Sequence, residues 1–137
     1  MLVKDVMNKK VIYVKSESNV KDVASIMVDN NIGCAVVKKN DKVVGIVTDR
    51  DILTKIAKND LDIASTPVED IMTRYVIYTS PDTALEKAAS LMIGKNVKKL
   101  PVLKNDRLVG IITTTDIVTA SPAMLKEIRK LMLRKIK

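Results

Sequence analysis

Gly45–Asp51 reads GIVTDRD, and Gly110–Asp116 reads GIITTTD. Each copy contains a glycine, two β-branched residues, a threonine, two polar residues and an aspartate. The second copy begins 65 residues after the first. A motif that recurs at a fixed distance indicates that the segment around it is duplicated, and a duplication has to be recognised before any local pattern is interpreted.

The same offset aligns most of the chain. VKDVM at Val3–Met7 aligns with VEDIM at Val68–Met72. Residues 3–53 align with 68–118 without a gap, and about 20 of the 51 pairs are identical. Chance does not produce such a match, so the chain contains two copies of one structural unit.

The hydrophobic period changes in the same order in each copy. In the first copy a β-rich run at Val11–Val14 precedes a helical pattern, and two short strands and a second helix follow. Each copy is thus a β-α-β-β-α repeat, too small to bury both faces of its sheet. We predict a mixed α/β protein whose two repeats pack through their small sheets about a pseudo-twofold axis. The predicted boundaries are 1–60 for repeat 1, 61–67 for a polar linker, 68–120 for repeat 2 and 121–137 for a basic amphipathic C-terminal helix.

The composition favours a cytoplasmic protein. Of the 137 residues 47% are hydrophobic, which is sufficient for a packed core. No apolar run approaches the ~18 residues that a membrane span needs, and the N-terminus lacks the apolar stretch of a signal peptide. The single cysteine, Cys34, cannot form an intramolecular disulfide, which fits a reducing compartment.

The residue types that most enzymes rely on are scarce. The chain has no histidine and one cysteine, so a Cys-His nucleophilic pair is impossible. A transition-metal site is disfavoured for the same reason, and we expect no tightly bound metal. No nucleophile–base arrangement is present elsewhere. We therefore expect a protein that is not an enzyme.

The motif itself admits two interpretations. Thr48 lies where a strand turns into a helix, and Asp51 follows three residues later, which is the arrangement of a helix N-cap with an acid in the first turn. The same geometry suits a nucleotide, because a helix N-terminus, the threonine hydroxyl and Arg50 all favour a phosphate. The aspartate offers two oxygens to the hydroxyls of a ribose. Caps alone, in a purely structural dimer, and a ligand site remain alternatives.

The duplicated unit resembles the CBS domain, named after cystathionine β-synthase, and the whole chain resembles a tandem CBS pair, or Bateman module. The resemblance is carried by VKDVM and VEDIM, by VIYV and VIYT, by KLPV at Lys99–Val102, and by the two glycine-to-aspartate motifs. It covers Val3 to about Val118. It implies a cleft between the repeats with two pseudo-symmetric sites for adenosine-containing ligands.

Carried over residue by residue, the resemblance implies that the aspartates bind the ribose hydroxyls and that the threonines bind the phosphate. A phosphate-bearing ligand is expected to prefer the first site, where Arg50 and Lys98 are cationic. The alternative is that Lys98 and Lys99 only form a solvated face and bind no phosphate. The second site is expected to be weaker, to be empty, or to suit a less charged ligand such as S-adenosylmethionine. The first site comprises Ile46, Thr48, Arg50 and Asp51, facing Thr79, Ser80, Val97 and Lys98. The second comprises Ile111, Thr113 and Asp116, facing Val14, Ser16, Ile32 and Gly33.

The resemblance thereby implies a regulatory module that senses an adenine nucleotide (AMP, ADP or ATP) or S-adenosylmethionine. Binding would alter the geometry of the two repeats, and a separate partner protein would respond to that change. CBS pairs commonly associate in twos, so a homodimer is expected.

The C-terminal stretch lies outside the resemblance. In SPAMLKEIRKLMLRKIK apolar residues recur at a spacing of three to four, including Leu125, Ile128, Leu131 and Ile136, and Lys and Arg occupy the other face. Such a helix either packs on its own module or a dimer partner, or it contacts nucleic acid or an acidic membrane surface. With a net charge of +8, nucleic-acid binding through this helix, with the CBS pair as the dimerisation unit, is the alternative function.

Overall fold

The first repeat forms a three-stranded sheet in this computed structural model, which describes residues 1–134. Strand β1 pairs in parallel with β2, and β2 pairs antiparallel with β3. The helix after β3 begins with one α-helical turn and continues as a π-helical segment at Ile52–Ala57. The elements are β1 (Tyr13–Lys15), α1 (Val20–Asp29), β2 (Cys34–Lys39), β3 (Lys42–Thr48) and α2 (Asp49–Asp51).

The second repeat has the same order of elements, with its first strand reduced to one residue. Thr79 forms a single parallel bridge to Val102, because only that residue of the VIYT segment pairs with the central strand. The mixed α/β class and the β-α-β-β-α order are therefore confirmed. The further elements are α3 (Leu85–Lys95), β4 (Lys99–Lys104), β5 (Arg107–Thr113), α4 (Thr114–Ala120) and α5 (Leu125–Arg134).

The duplication extends to backbone conformation. Asn40 and Asp41, between β2 and β3, have φ of 51° and 66°, and Asn105 and Asp106, between β4 and β5, have φ of 52° and 65°. Two consecutive left-handed residues are what a tight two-residue hairpin of the primed type requires, and Asn and Asp tolerate this region best among non-glycine residues. The two hairpins are closed in the same way.

Two compact units divide the chain differently from the two repeats. One unit is Ile12–Val76, and the other combines Met1–Val11 with Ile77–Lys137. The segment before the first strand of each repeat thus belongs to the compact unit of the other repeat, and we call it the exchanged segment. Asn8 pairs with Ile111 through two backbone hydrogen bonds of 2.8 and 2.9 Å, and Thr73 pairs with Ile46 in the same way, at 2.8 and 2.9 Å. The predicted boundaries at 60 and 68 describe the sequence duplication, whereas the compact units follow this exchange.

Each unit has its own aliphatic core. In the unit of residues 12–76, the sheet and α1 bury Val23, Val37 and Val47 completely, and Val68 from the exchanged segment joins them. In the other unit the core includes the following side chains, none more than 1% exposed: Val3, Leu85, Met92, Leu100, Ile112, Ile117, Ile128 and Leu131.

The C-terminal helix α5 packs on α3 and α4 of its own unit. Ile128 and Leu131 are fully buried there, while Lys126, Arg129 and Lys130 are exposed. The part of its apolar face formed by Ile128 and Leu131 is therefore used in packing, as one of the two predictions has it, while Leu125 is exposed. The helix begins at Leu125, after a 3₁₀ turn at Pro122–Met124, rather than at residue 121. The predicted positions 135–137 lie outside the described residues.

The glycine of each motif is required by the exchanged segment that crosses it. A Cβ atom on Gly45 would lie 2.5 Å from the Met72 Sδ and 2.9 Å from the Thr73 carbonyl oxygen. On Gly110 it would lie 2.6 Å from the Met7 Sδ and 3.1 Å from a backbone oxygen. Real Cβ atoms essentially never approach other atoms within 3.0 Å, so alanine at Gly45 displaces the crossing backbone, whereas alanine at Gly110 displaces the Met7 side chain and crowds the crossing backbone.

We expect Gly45→Ala and Gly110→Ala each to lower the free energy of unfolding by about 1–3 kcal/mol, as overpacking does. Gly94→Ala is the matched control: Gly94 lies in α3, a Cβ atom there would have no heavy atom within 4 Å, and alanine should stabilise by about 0.5–1 kcal/mol. Urea denaturation of the three variants measures the difference. Gly45→Ala as stable as the wild type would contradict the crossing geometry.

Candidate functional site

Thr48 and Asp51 form a reciprocal cap at the junction of β3 and α2. The Thr48 Oγ1 accepts a hydrogen bond from the Asp51 N–H at 3.0 Å, and the Asp51 Oδ2 accepts one from the Thr48 N–H at 3.0 Å. This is a capping box, which satisfies two backbone donors that a helix start would otherwise leave unpaired. The N-cap interpretation of the motif is confirmed here.

Thr113 and Asp116 repeat this arrangement at the junction of β5 and α4. The Thr113 Oγ1 accepts from the Asp116 N–H at 3.1 Å, and the Asp116 Oδ2 accepts from the Thr113 N–H at 3.0 Å. In each motif the cap uses the threonine oxygen as an acceptor and one carboxylate oxygen. The threonine hydroxyl proton and the aspartate Oδ1 are what each capping box leaves over for another partner.

The two motifs differ in what contacts the remaining carboxylate oxygen. The Lys55 Nζ lies 3.3 Å from the Asp51 Oδ1, and the same ammonium donates a hydrogen bond to the Ile71 carbonyl oxygen at 2.8 Å. Position 120, which corresponds to Lys55, is alanine. Within residues 1–134, no side chain of its own unit forms an ion pair or hydrogen bond with the Asp116 Oδ1.

The two aspartates also differ in solvent exposure. Asp51 is buried, with 12% of its side chain exposed, and Asp116 is half-buried. Lys55 was not among the predicted site residues. The signal that identifies it is its place four residues after an aspartate on a helix, since side chains at this spacing are neighbours on the helix surface.

The polar positions inside the motifs also differ in charge. Asp49 is exposed, and its Oδ1 accepts a hydrogen bond from the Arg50 N–H at 2.8 Å. Arg50 is exposed as well. The corresponding residues of the second motif, Thr114 and Thr115, are uncharged, and Thr114 is buried. The first motif therefore presents one acid and one base beside its cap, and the second presents neither.

The starts of β2 and β4 lie beside the motif of their own repeat. The Gly33 carbonyl oxygen accepts a hydrogen bond from the Asp49 N–H at 2.9 Å, and the Lys98 carbonyl oxygen accepts one from the Thr114 N–H at 2.9 Å. The register of each hairpin explains these contacts. The end of the hairpin's second strand pairs with the start of its first strand, so Lys98 lies next to the motif of its own repeat. The grouping of Lys98 with Asp51 stays a prediction.

The other predicted residues lie close to the edge strands. Val14 is 3% exposed and belongs to the core of the unit of residues 12–76. Ser16 is 1% exposed, and its hydroxyl donates to the Glu17 Oε2 at 3.2 Å. The hydroxyl of Ser80 is 2.7 Å from that of Thr83. Thr79 and Ser80 line a pocket of about 670 Å³ together with Tyr78, Thr83, Lys87, Ser90 and Leu91.

A second pocket, of about 500 Å³, contains a predicted pair from the first repeat. Ile32 and Gly33 line it together with Asp49, and the other lining residues come from α1, from Asn31 and from the start of the π-helical segment at Ile52. Ile46 and Ile111 are half-buried within β3 and β5, and Val97 is half-buried just before β4. Each motif is therefore flanked by aliphatic side chains of its own repeat.

Two general properties bear on the range of functions. Among the described residues, no three Asp, Glu, Cys or His side chains are grouped closely enough to hold a metal ion. None of the helices in residues 1–134 is long and apolar enough to cross a membrane.

Comparison with known proteins identifies the class. The CBS domain family matches the chain twice, at residues 3–58 and 68–123. The chain therefore belongs to the CBS-domain family, as a tandem pair. The uncharacterized protein MJ1426 of Methanocaldococcus jannaschii is 32% identical over 153 aligned positions, which cover 88% of this chain and 90% of the relative.

Solved CBS-domain structures share the fold. A CBS-domain protein from Burkholderia ambifaria superposes with a TM-score of 0.80 at 29% identity, over 90% of this chain and 95% of the other. The CBS domain pair of protein MJ0100, solved in complex with 5′-methylthioadenosine and S-adenosyl-L-methionine, superposes with a TM-score of 0.77 at 32% identity, over 90% of this chain and 97% of the other.

We expect Thr48→Ala and Thr113→Ala each to lower the free energy of unfolding by about 1 kcal/mol, because each removes the acceptor of a cap. Thr115→Ala is the control, since Thr115 is exposed and its side chain has no hydrogen bond within the described part of the chain. Thr48→Ser should retain most of the stability. Equal stability of Thr48→Ala, Thr113→Ala and Thr115→Ala in thermal unfolding would show that the caps contribute nothing.

Proposed function

We propose that this CBS-domain pair is a regulatory protein that binds an adenosine-containing small molecule, AMP, ADP, ATP or S-adenosylmethionine, and performs no chemistry on it. One observation carries the proposal. At each of two duplicated motifs the capping box leaves the threonine hydroxyl proton and one carboxylate oxygen outside the cap, and at Asp51 that oxygen also contacts the Lys55 ammonium. The chain is 32% identical to a CBS pair solved with 5′-methylthioadenosine and S-adenosylmethionine.

The chemistry of each side chain indicates which part of such a ligand it would bind. An ionised carboxylate accepts several hydrogen bonds and donates none, so Asp51 and Asp116 suit the two hydroxyls of a ribose. The hydroxyls of Thr48 and Thr113 are donors once their oxygens have accepted from the cap. The half-buried aliphatic residues beside each motif suit the flat face of adenine: Ile46 and Ile32 in the first repeat, Ile111 and Val97 in the second.

Charge separates the ligands that each motif should accept. Arg50 is the exposed cation beside the first motif, and the half-buried Lys98 lies beside the second. Either cation can form a charge-assisted hydrogen bond to a phosphate. Val14, Ser16, Thr79, Ser80 and Gly33 remain predicted site residues, to be tested with the same ligands.

A sensor of this kind acts by coupling. Ligand binding that favours one arrangement of the protein changes its affinity for a partner by the same free energy, typically about 1–3 kcal/mol. We propose that the partner is a separate protein and that the pair acts as a homodimer in the cytoplasm.

Calorimetric titration with AMP, ADP, ATP and S-adenosylmethionine tests the proposal. Asp51→Ala and Asp116→Ala should each weaken binding at one site by about tenfold or more, since hydrogen bonds to a charged group are lost. Asp29→Ala is the control, because Asp29 is an exposed carboxylate at the end of α1. Folded, ligand-free protein that binds none of the four compounds would reduce the motifs to helix caps.

Nucleic-acid binding through α5 is the second candidate, favoured by one observation. Ile128 and Leu131 pack α5 on its own unit, which leaves Lys126, Arg129 and Lys130 exposed on a protein of net charge +8. Replacing the three with glutamine should weaken RNA or DNA binding and reduce its salt dependence, since fewer counterions are released. Binding that is insensitive to salt and to these substitutions would reject this function.

A further inference from the structure

We infer that Lys55 sets the ligand preference of the first motif by occupying the Asp51 carboxylate, so that Asp116 is the stronger acceptor for a ribose diol. The inference rests on the proposed function, because it concerns which of the two motifs binds a nucleoside more tightly. It does not follow from the motif sequences, since both contain the same threonine and aspartate.

Asp51 has internal partners on both carboxylate oxygens. Its Oδ2 accepts from the Thr48 N–H at 3.0 Å, and its Oδ1 lies 3.3 Å from the Lys55 ammonium. A vicinal diol that donates to both oxygens must share them with these partners. The positive charge of Lys55 also draws electron density from the carboxylate and weakens it as an acceptor for a neutral hydroxyl.

Lys55 is held in place from its other side. Its Nζ donates to the carbonyl oxygen of Ile71 at 2.8 Å, and the Ile71 residue is 2% exposed. The ammonium thus bridges the helix of the motif and the exchanged segment within one unit. A ligand that displaced it from Asp51 would leave its charge beside a buried carbonyl with one fewer anionic neighbour. The Lys55 side chain is 43% exposed, so the Ile71 carbonyl is the contact that holds the ammonium beside Asp51.

The second repeat provides the internal comparison. Ala120 stands where Lys55 stands in the first repeat, and Val6 stands where Ile71 does. In the second unit, within residues 1–134, only the Thr113 N–H bonds the Asp116 carboxylate, through its Oδ2. Asp116 is also more exposed than Asp51. The second motif therefore offers a ribose diol an oxygen that the first motif has already used.

Adenosine is the probe, because it has the diol and lacks phosphate, so Arg50 and Lys98 do not decide its binding. The two motifs are read separately in Asp116→Asn and Asp51→Asn backgrounds. In the Asp116→Asn background, Lys55→Gln should tighten adenosine binding at the first motif by about threefold to tenfold, as expected when a charged competitor for a hydrogen-bond acceptor is removed.

Introducing a lysine at the corresponding position of the second repeat gives a second, independent test. In the Asp51→Asn background, Ala120→Lys should weaken adenosine binding at the second motif by about the same factor. Lys58→Gln is the charge control, since Lys58 is exposed at the end of the same helix and changes the net charge equally. The ratio of adenosine to 2′,3′-dideoxyadenosine affinity is the decisive readout, because a merely structural role of Lys55 would change both affinities together.

A ratio that Lys55→Gln and Ala120→Lys leave unchanged, or change in the opposite direction, would overturn the inference while leaving the proposed function intact. Failure of every protein, the wild type included, to bind adenosine or the four nucleotide ligands would instead remove the proposed function and the inference with it. If Lys55→Gln does not fold, Ala120→Lys decides the question alone, since it breaks no contact to the Ile71 carbonyl.

Discussion

The fold depends on the close crossing of an exchanged segment over the glycine of each motif. Met72 and Thr73 cross Gly45, and Met7 and Asn8 cross Gly110, so closely that a Cβ atom at either glycine would lie within 3.0 Å of the crossing segment. Each crossing segment forms an antiparallel backbone bridge, to Ile46 of β3 or to Ile111 of β5. The crossing also brings Val68 and Val3 into the two cores. A short repeat with a two- or three-stranded sheet gains in this way the buried surface that its own sequence lacks.

The capping boxes link stability to ligand chemistry. Strands β3 and β5 each end at the threonine that caps the next helix, and the threonine and aspartate satisfy each other's backbone groups. The same two side chains retain a hydroxyl proton and, in the second motif, a carboxylate oxygen without a hydrogen bond or ion pair from residues 1–134. A structural cap and a ligand half-site are therefore two uses of one pair of residues, which explains why the sequence alone supports both interpretations.

Much of this could be predicted from the sequence. The duplication indicated the element order and the caps, since each rests on local chemistry at a fixed spacing. The exchange of Met1–Val11 could not be predicted, because VKDVM and VEDIM are equivalent segments and nothing in either specifies which hairpin it crosses. The adjacency of Lys98 to its own motif was missed for a related reason: it depends on strand register rather than on residue type.

The difference between the two motifs lies outside the motifs themselves. Arg50 attracts attention as the charged residue inside the motif, whereas the ion that contacts Asp51 is Lys55, one helical turn later. The spacing of four residues on one helix indicates that contact, whereas the second contact of the ammonium, with the Ile71 carbonyl 16 residues away, depends on packing. Charge at a motif can be counted from sequence, but which oxygen it occupies depends on packing.

The most direct test is an NMR titration of the wild-type protein with adenosine that follows the backbone amides of both motifs in one sample. We predict that the amides of Thr113–Asp116 shift first, that those of Thr48–Asp51 shift at higher adenosine concentration, and that the amides of the Asn40 turn do not shift. Motif amides that stay unperturbed at millimolar adenosine, or that respond in the reverse order, would contradict the account.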